Sequence, residues 1–313
     1  MTTYPLVNYA PIVLFTYKRL DTLRKTVEAL SANSLAASSD LIIYSDGSKL
    51  VKDETVIAEV RAYLKTITGF KSITILESPI NKGLANSIIE GVTDVMNQYG
   101  KVIVLEDDLI VSKNFLVFMN EALEFYEQNQ KVFSVSGYGL KVEIPQDYEY
   151  DVYFTPRGLS WSWATWKDRW EKVDWEVKDF EKLKKDKKAR QKLALGGTDL
   201  FPMLKKQMEH NLDSWAIRWF YSQFKSEQLT VCPVLSKAKN VGFDAVATHT
   251  NVYNRYTISF DNSDNQNFLF GPNAIINPII LDSFQSYYSV FSRLFYGRLI
   301  SPLYRLKQFF SNK

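Results

Sequence analysis

Short apolar runs alternate with segments of helical spacing through the first 130 residues of the chain. The run from Val102 to Leu105 is continuous, which is typical of a strand buried on both faces of a parallel sheet. Strands and helices in this order predict right-handed βαβ units, and therefore an α/β fold with a mostly parallel central sheet flanked by helices. The predicted strands are Pro11–Phe15, Leu41–Tyr44, Ser72–Leu76 and Val102–Leu105, and the predicted helical segments are Leu20–Leu30, Val56–Leu64 and Asn81–Tyr99.

The pattern changes after about residue 130. Strands are predicted at Val132–Val135 and Val152–Thr155, but regular alternation with helices stops. No linker rich in Pro, Gly or Ser separates the segments 1–130 and 131–265, so we expect the two to share one core. A helical C-terminal tail is expected within 266–313.

Composition restricts the class of protein. The chain is 46% hydrophobic, enough for a sizeable core, and its net charge of +3 gives no case for nucleic acid as a partner. Cys232 is the only cysteine, which excludes an intrachain disulfide and a cysteine-based zinc cluster and fits a reducing cytosol. No signal peptide or membrane-spanning run is visible, so we expect a cytoplasmic protein.

The stretch from Lys101 to Val111 carries the clearest chemical signal. Its apolar strand leads directly into Glu106, Asp107 and Asp108, and adjacent carboxylates repel one another unless a cation or solvent takes up the charge. Ligands of open α/β sheets bind at the carboxyl ends of the strands. Oxygen ligands there suit Mg²⁺ or Mn²⁺ carrying a phosphorylated ligand. A solvated acidic turn is the alternative interpretation.

Six motifs follow one another along the chain. They are Phe15-Thr-Tyr-Lys-Arg19, Ser45-Asp-Gly-Ser48, Asn81-Lys-Gly-Leu-Ala85, Val104-Leu-Glu-Asp-Asp-Leu109, Arg157-Gly-Leu-Ser-Trp-Ser-Trp163 and Leu212-Asp-Ser-Trp215. Their order and spacing resemble the GT-A fold glycosyltransferases that use nucleotide-sugar donors, most of all the inverting bacterial family-two enzymes and the N-acetylglucosaminyltransferase I type. The resemblance implies a Rossmann-like nucleotide-sugar-binding half at 1–130, an acceptor-binding and catalytic-base half at 131–265, and a basic aromatic tail at 266–313.

The resemblance also implies a nucleotide pocket. Thr16 and Arg19 would line it, Asp46 would hydrogen-bond the base, and Asn81 and Lys82 would lie near the ribose or diphosphate. A carboxylate can accept a hydrogen bond from an N–H of uracil or guanine. Asp46 as a plain turn residue, and Asn81-Lys82 as the cap region of the next helix, are the alternatives.

The family's acidic motif is usually Asp-any-Asp, and here it reads Glu106-Asp107-Asp108, the form typical of the N-acetylglucosaminyltransferase I type. By this resemblance Asp108 would coordinate Mn²⁺ or Mg²⁺, Asp107 would contact ribose or metal, and Glu106 would touch the donor sugar. His249 is a candidate additional metal ligand. A histidine satisfied by hydrogen bonds is the alternative.

The resembling enzymes place a catalytic Asp or Glu at the start of a helix in the second half. Asp213 matches that position and would take the proton from the acceptor hydroxyl. Asp199 and Asp244 compete for this role, and an ordinary N-cap is the alternative for Asp213.

The tryptophans suggest both core and binding surface. Trp163, Trp166 and Trp170 fall on one helical face, and such a stripe more often belongs to the core. Trp161 is the expected platform on which a sugar ring stacks.

Together these features imply a metal-dependent, inverting glycosyltransferase. It would move one sugar from a nucleoside-diphosphate-sugar, with a UDP-sugar expected, to a hydroxyl of a glycan or lipid-linked glycan acceptor. A sugar-phosphate nucleotidyltransferase is one alternative, although the loop at 15–19 lacks the glycines that a triphosphate-binding loop needs. A non-catalytic carbohydrate-binding protein is the other.

The segment after Asp282 is basic and apolar. It contains no acidic residue, and aromatic and aliphatic residues alternate with its cations. This composition predicts either a helix packed on the core or peripheral contact with the anionic inner face of a membrane. The basic positions are Arg293, Arg298, Arg305, Lys307 and Lys313.

Overall fold

The computed structural model describes residues 9–242 and 256–289. Strands and helices alternate up to about residue 130, as the hydrophobic pattern predicts. The strands are β1 (Ile12–Thr16), β2 (Asp40–Ser45), β3 (Ser72–Glu77), β4 (Lys101–Glu106), β5 (Leu109–Val111), β6 (Val132–Ser136), β7 (Val152–Thr155), β8 (Trp163–Trp166), β9 (Leu229–Pro233) and β10 (Ala238–Asn240). The helices are α1 (Leu20–Ser31), α2 (Glu54–Leu64), α3 (Leu84–Tyr99), α4 (Phe115–Tyr126), α5 (Lys167–Trp170), α6 (Phe180–Lys185), α7 (Lys187–Leu193), α8 (Leu200–Met208), α9 (Trp215–Lys225) and α10 (Pro278–Tyr287).

The central sheet has the strand order β3-β2-β1-β4-β8-β6-β9-β7. Neighbouring strands from β3 to β4 are parallel, and β6 is parallel to β9. Strand β8 is antiparallel to both β4 and β6, so one sheet runs through both halves of the chain. The expectation of an α/β fold with a mostly parallel, Rossmann-like central sheet is confirmed.

Helices cover both faces of the sheet, which is why four consecutive residues of β1, Ile12 to Phe15, are apolar and buried. Along β1, Ile12 and Leu14 pack against α1, α2 and α4, whereas Val13 and Phe15 pack against α3 and the helices of the second half. Side chains alternate between the faces of a strand, so a strand with helices on both sides has no polar face.

The tryptophan stripe does not lie on one helix, and this part of the prediction is wrong. Trp163 and Trp166 begin and end strand β8, and Trp170 ends the short helix α5. Spacing of three along a strand points side chains to opposite faces, so Trp166 joins one core cluster while Trp163 and Trp170 stack at 5.6 Å in the other. The expectation that all three belong to the core holds.

The described part of the C-terminal segment packs on the core. Lys237 and Asp261 form a buried ion pair that anchors the chain near residue 261. Farther along, Phe284 on α10 is fully buried and Tyr288 nearly so. Residues 290–313, including the five basic positions of the tail, lie outside the described residues. In the described ranges, no helix has the length and apolar character needed to cross a bilayer.

Candidate active site

A cleft of about 600 Å³ opens at the carboxyl ends of β1, β2 and β4. Parallel strands end at the same edge of a sheet, so loops that are distant in sequence meet there. Eight of the predicted site residues line the cleft: Thr16, Arg19, Asp46, Asn81, Glu106, Asp107, Asp108 and Trp161.

Asp107 is fixed by the last residue of β1 and the first residue of the loop that follows. Its Oδ2 accepts hydrogen bonds from the Thr16 hydroxyl at 2.9 Å and from the backbone N–H of Tyr17 at 3.2 Å. Burial, together with the negative charge of Asp108, raises the pKa of Asp107 to about 6 despite these hydrogen bonds. Thr16 therefore contacts the acidic motif in this structure, and its contact with a nucleotide stays a prediction.

Asp108 is held from two sides. Arg19 donates from Nη1 to Oδ2 at 2.8 Å, and Asn240 donates from Nδ2 to Oδ1 at 3.3 Å. Asn240 reaches this position because β10 pairs with β5 and places Asn240 opposite Leu109. Asn240 was not predicted as a site residue, because only the pairing of β10 with β5 brings it to Asp108.

Glu106 lies beside two other carboxylates in the cleft. Among the described residues none donates a hydrogen bond to its carboxyl group. Burial, reinforced by the negative charges of Asp108 and Asp107, raises the pKa of Glu106 from 4.5 to about 8, although Arg19 opposes this. The turn therefore favours a ligand that brings positive charge or hydrogen-bond donors.

Asp46 organises two loops. Its Oδ1 accepts from the backbone N–H groups of Gly47 at 2.8 Å and Lys82 at 2.9 Å, and its Oδ2 accepts from Asn81 Nδ2 and Gly83 N, each at 3.0 Å. A carboxylate has about four acceptor positions. These are filled within the protein, so Asp46 joins the loop after β2 to the loop before α3, and its contact with a base stays a prediction.

Lys82 and Trp161 stand at the periphery of this arrangement. The Lys82 ammonium pairs with Glu90 at 2.6 Å, and Lys82 does not line the cleft. Trp161 does line it, packed edge-on against Tyr138 at 4.9 Å and Tyr256 at 5.6 Å. These contacts fix the Trp161 ring, as a stacking platform requires. His249 and Asp244 lie outside the described residues.

Asp213 is exposed two residues before the start of α9 and is not part of the cleft lining. The cap of α9 is Ser214, whose Oγ accepts from the backbone N–H of Ile217 at 3.4 Å, so capping is not the role of Asp213. The competitor Asp199 is buried in a two-pronged ion pair with Arg157, at 2.8 and 3.3 Å. Asp199 is thus engaged by Arg157 and is not among the residues that line the cleft, and the role of Asp213 stays a prediction.

A second polar cluster at the cleft was not predicted. Asp53 accepts from the Tyr17 hydroxyl at 3.1 Å and from Lys18 Nζ at 3.0 Å, and all three residues line the cleft. Lys18 and Tyr17 belong to the first motif. Asp53, which precedes α2, gave no sequence signal because only the tertiary fold brings it to β1.

Residues 12–192 match the family described as Glycosyl transferase family 2, a stretch that covers more than half of the chain and contains β1, β2 and β4. The chain belongs to this family. The resemblance to GT-A fold, nucleotide-sugar-dependent enzymes is thereby confirmed.

Curated proteins include no match to this glycosyltransferase. Solved structures with a similar fold include the mannosyltransferase PcManGT from Pyrobaculum calidifontis, in complex with GDP-Man and Mn²⁺, at 13% identity, 72% of this chain, 71% of that chain and a TM-score of 0.40. The galactosyltransferase LgtC with donor and acceptor sugar analogs matches at 11% identity, 68% and 70% coverage and a TM-score of 0.35. The 4-diphosphocytidyl-2C-methyl-D-erythritol synthase from Anaerococcus prevotii matches at 13% identity, over 75% of this chain and 92% of that chain, with a TM-score of 0.37.

The oxygen ligands at the β4–β5 turn suit a hard divalent cation. Within residues 9–242 and 256–289, no three Asp, Glu, His or Cys side chains form a preassembled metal cage. Mg²⁺, however, is commonly held by one or two carboxylates and the phosphates of a substrate, so such a cage is not required. Asp108 fits this role, because its carboxylate lines the cleft beside the other two acids.

Proposed function

We propose that this glycosyltransferase moves one sugar from a nucleoside-diphosphate-sugar to a hydroxyl of a glycan or lipid-linked glycan, with inversion at the anomeric carbon. The proposal rests on one observation above all: the carboxylates of the β4–β5 turn line the same cleft as the loops after β1 and β2. We take a UDP-sugar as the expected donor and a hexosyl or N-acetylhexosaminyl group as the unit transferred.

In the proposed reaction Asp108 would hold a divalent cation, Mn²⁺ or Mg²⁺. A bound cation of this kind neutralises charge that develops on the leaving diphosphate. The acceptor oxygen forms a bond to the anomeric carbon while the bond from that carbon to the diphosphate oxygen breaks. Asp213 receives the proton of the acceptor hydroxyl, and Trp161 stacks on a sugar ring.

The decisive experiment is calorimetric titration with UDP-, GDP- and dTDP-sugars in the presence and absence of Mn²⁺. We expect one donor class to bind only with the cation. Asp108→Ala should abolish that binding with the fold intact, and Glu59→Ala, which removes an exposed carboxylate on α2, should not change it. Unchanged affinity of folded Asp108→Ala would exclude Asp108 as the cation ligand.

Product analysis tests the reaction itself. NMR of the product should report an anomeric configuration opposite to that of the donor, and retention would refute inversion. Consumption of a nucleoside triphosphate with a sugar phosphate, instead of a diphosphate-sugar donor, would establish the nucleotidyltransferase alternative.

The basic tail supports a further part of the proposal, peripheral attachment of a cytoplasmic enzyme to a membrane that carries lipid-linked acceptors in polysaccharide biosynthesis. Each cation near an anionic surface contributes about 1 kcal/mol. The test compares the full chain with a chain that ends at Ser289, since an earlier end would remove the buried Tyr288. We expect only the full chain to sediment with anionic liposomes, and less so at high salt. No sedimentation at low salt would refute attachment.

A further inference from the structure

The ion pair between Arg19 and Asp108 occupies the carboxylate that the proposed function assigns to a cation. The guanidinium Nη1 lies 2.8 Å from Oδ2, and the two side chains are 28% and 14% exposed. The backbone of Gly242 closes over the pair, because a Cβ added there would overlap both Asp108 Oδ2 and Arg19 Nη2. The pair is therefore a packed feature of the cleft.

Arg19 differs in this respect from its neighbour Lys18. Lys18 also lines the cleft, but its ammonium pairs with Asp53 at 3.0 Å. The two cations are adjacent in sequence, carry the same charge and neutralise different carboxylates. Replacing Lys18 removes the same charge as replacing Arg19 but leaves the Arg19–Asp108 contact in place, so Lys18 serves as the control for a general effect of charge.

A divalent cation and a guanidinium compete for one carboxylate, because two positive groups on the same oxygen atoms repel each other. The backbone of Arg19 stays anchored at the start of α1, where its carbonyl accepts from Leu23 N at 3.0 Å. The Arg19 side chain can therefore leave Asp108 without a movement of the backbone. A diphosphate in the cleft offers the anionic oxygens that a guanidinium binds well.

We propose that Arg19 is an exchangeable counter-ion of Asp108. The divalent cation displaces the Arg19 guanidinium, which then binds the donor diphosphate. This inference rests on the proposed function. It has a thermodynamic consequence: the free enzyme binds the cation weakly, and cation and nucleotide bind with positive coupling to which Arg19 contributes.

The test measures Mn²⁺ affinity by electron paramagnetic resonance, first without nucleotide and then with saturating UDP or GDP, whichever the wild type binds. Without nucleotide we expect Arg19→Gln to bind Mn²⁺ about two- to fivefold more tightly than wild type, the range for loss of a partly exposed ion pair. Lys18→Gln, the matched charge control, should change Mn²⁺ affinity less. Arg19→Lys should return it toward the wild-type value, and melting temperatures confirm folding.

The coupling is the Mn²⁺ dissociation constant without nucleotide divided by the constant with nucleotide. This ratio should fall in Arg19→Gln and be retained in Lys18→Gln. Equal effects of the two glutamine variants on Mn²⁺ alone, or an unchanged ratio in Arg19→Gln, would overturn the inference while leaving nucleotide-sugar binding in place. Failure of the wild type to bind UDP, GDP or dTDP, with or without Mn²⁺, would instead refute the proposed function, and the coupling inferred here with it.

Discussion

Replacement of Glu106 by glutamine should make the protein more stable, and only at high pH. The carboxyl group is held beside Asp107 and Asp108, and burial is the main cause that raises its pKa from 4.5 to about 8. Glutamine has nearly the same shape as protonated glutamic acid and cannot ionise. The variant therefore removes the charge and leaves the packing.

The pH dependence of this gain in stability follows from proton linkage. Below pH 4.5 the folded and the unfolded chain both hold the Glu106 proton, so the substitution changes little. Between pH 4.5 and 8 the folded protein keeps a proton that the unfolded chain has lost, and the wild type loses stability as the pH rises through this window.

The expected increase in the free energy of unfolding follows from the same shift in the pKa of Glu106. The difference between 4.5 and about 8 corresponds to about 5 kcal/mol, at about 1.4 kcal/mol for each tenfold change in proton affinity. Asp107 also has a raised pKa and can take up the proton in place of Glu106, which relieves part of the repulsion. We therefore expect Glu106→Gln to increase the free energy of unfolding by about 2–3 kcal/mol at pH 8.

The assay is urea denaturation at pH 5 and pH 8 in the presence of EDTA. Glu59→Gln, an exposed carboxylate on α2, serves as the control and should stay within about 0.5 kcal/mol of wild type at both values. A Glu106→Gln gain of equal size at pH 5 and pH 8, or a loss at pH 8, would show that the charge of Glu106 is not destabilising.

Three further substitutions test separate parts of the structure. Asp213→Asn should leave donor binding nearly unchanged and lower turnover by about 10²–10⁴-fold, the range for loss of a general base, whereas near-normal turnover would exclude Asp213 from that role. Arg157→Met should lower the free energy of unfolding by about 3–5 kcal/mol, because Asp199 would remain buried without its partner; a loss below 1 kcal/mol would mean that the buried pair is solvated. Gly47→Ala should cost about 1–3 kcal/mol and weaken nucleotide binding, since a Cβ there overlaps the carbonyl carbon of Ile80, and an unchanged melting temperature would contradict this.

The hydrophobic pattern was sufficient to predict the nucleotide-binding half. Strands β1 to β4 and helices α1 to α3 lie within a few residues of their predicted bounds. Each of these elements buries one face or both in a regular repeat, and that repeat is visible in the sequence. The second half was less predictable. The sequence of β8 predicts a helical stripe, because two tryptophans three positions apart fit one face of a helix. The same spacing fits a strand when both faces of the strand are buried, as they are in β8.

The residue types of the candidate site were also visible in the sequence, but their contacts were not. Glu106, Asp107 and Asp108 stand out because three acids follow an apolar strand. That Arg19 pairs with Asp108, and that Asn240 reaches the same carboxylate, depends on contacts between positions 89 and 132 residues apart. Such contacts arise when β1 pairs with β4 and β10 with β5. Local periodicity reports which face of an element is buried, whereas the partner of a polar side chain is decided by the tertiary packing of elements that are distant in the chain.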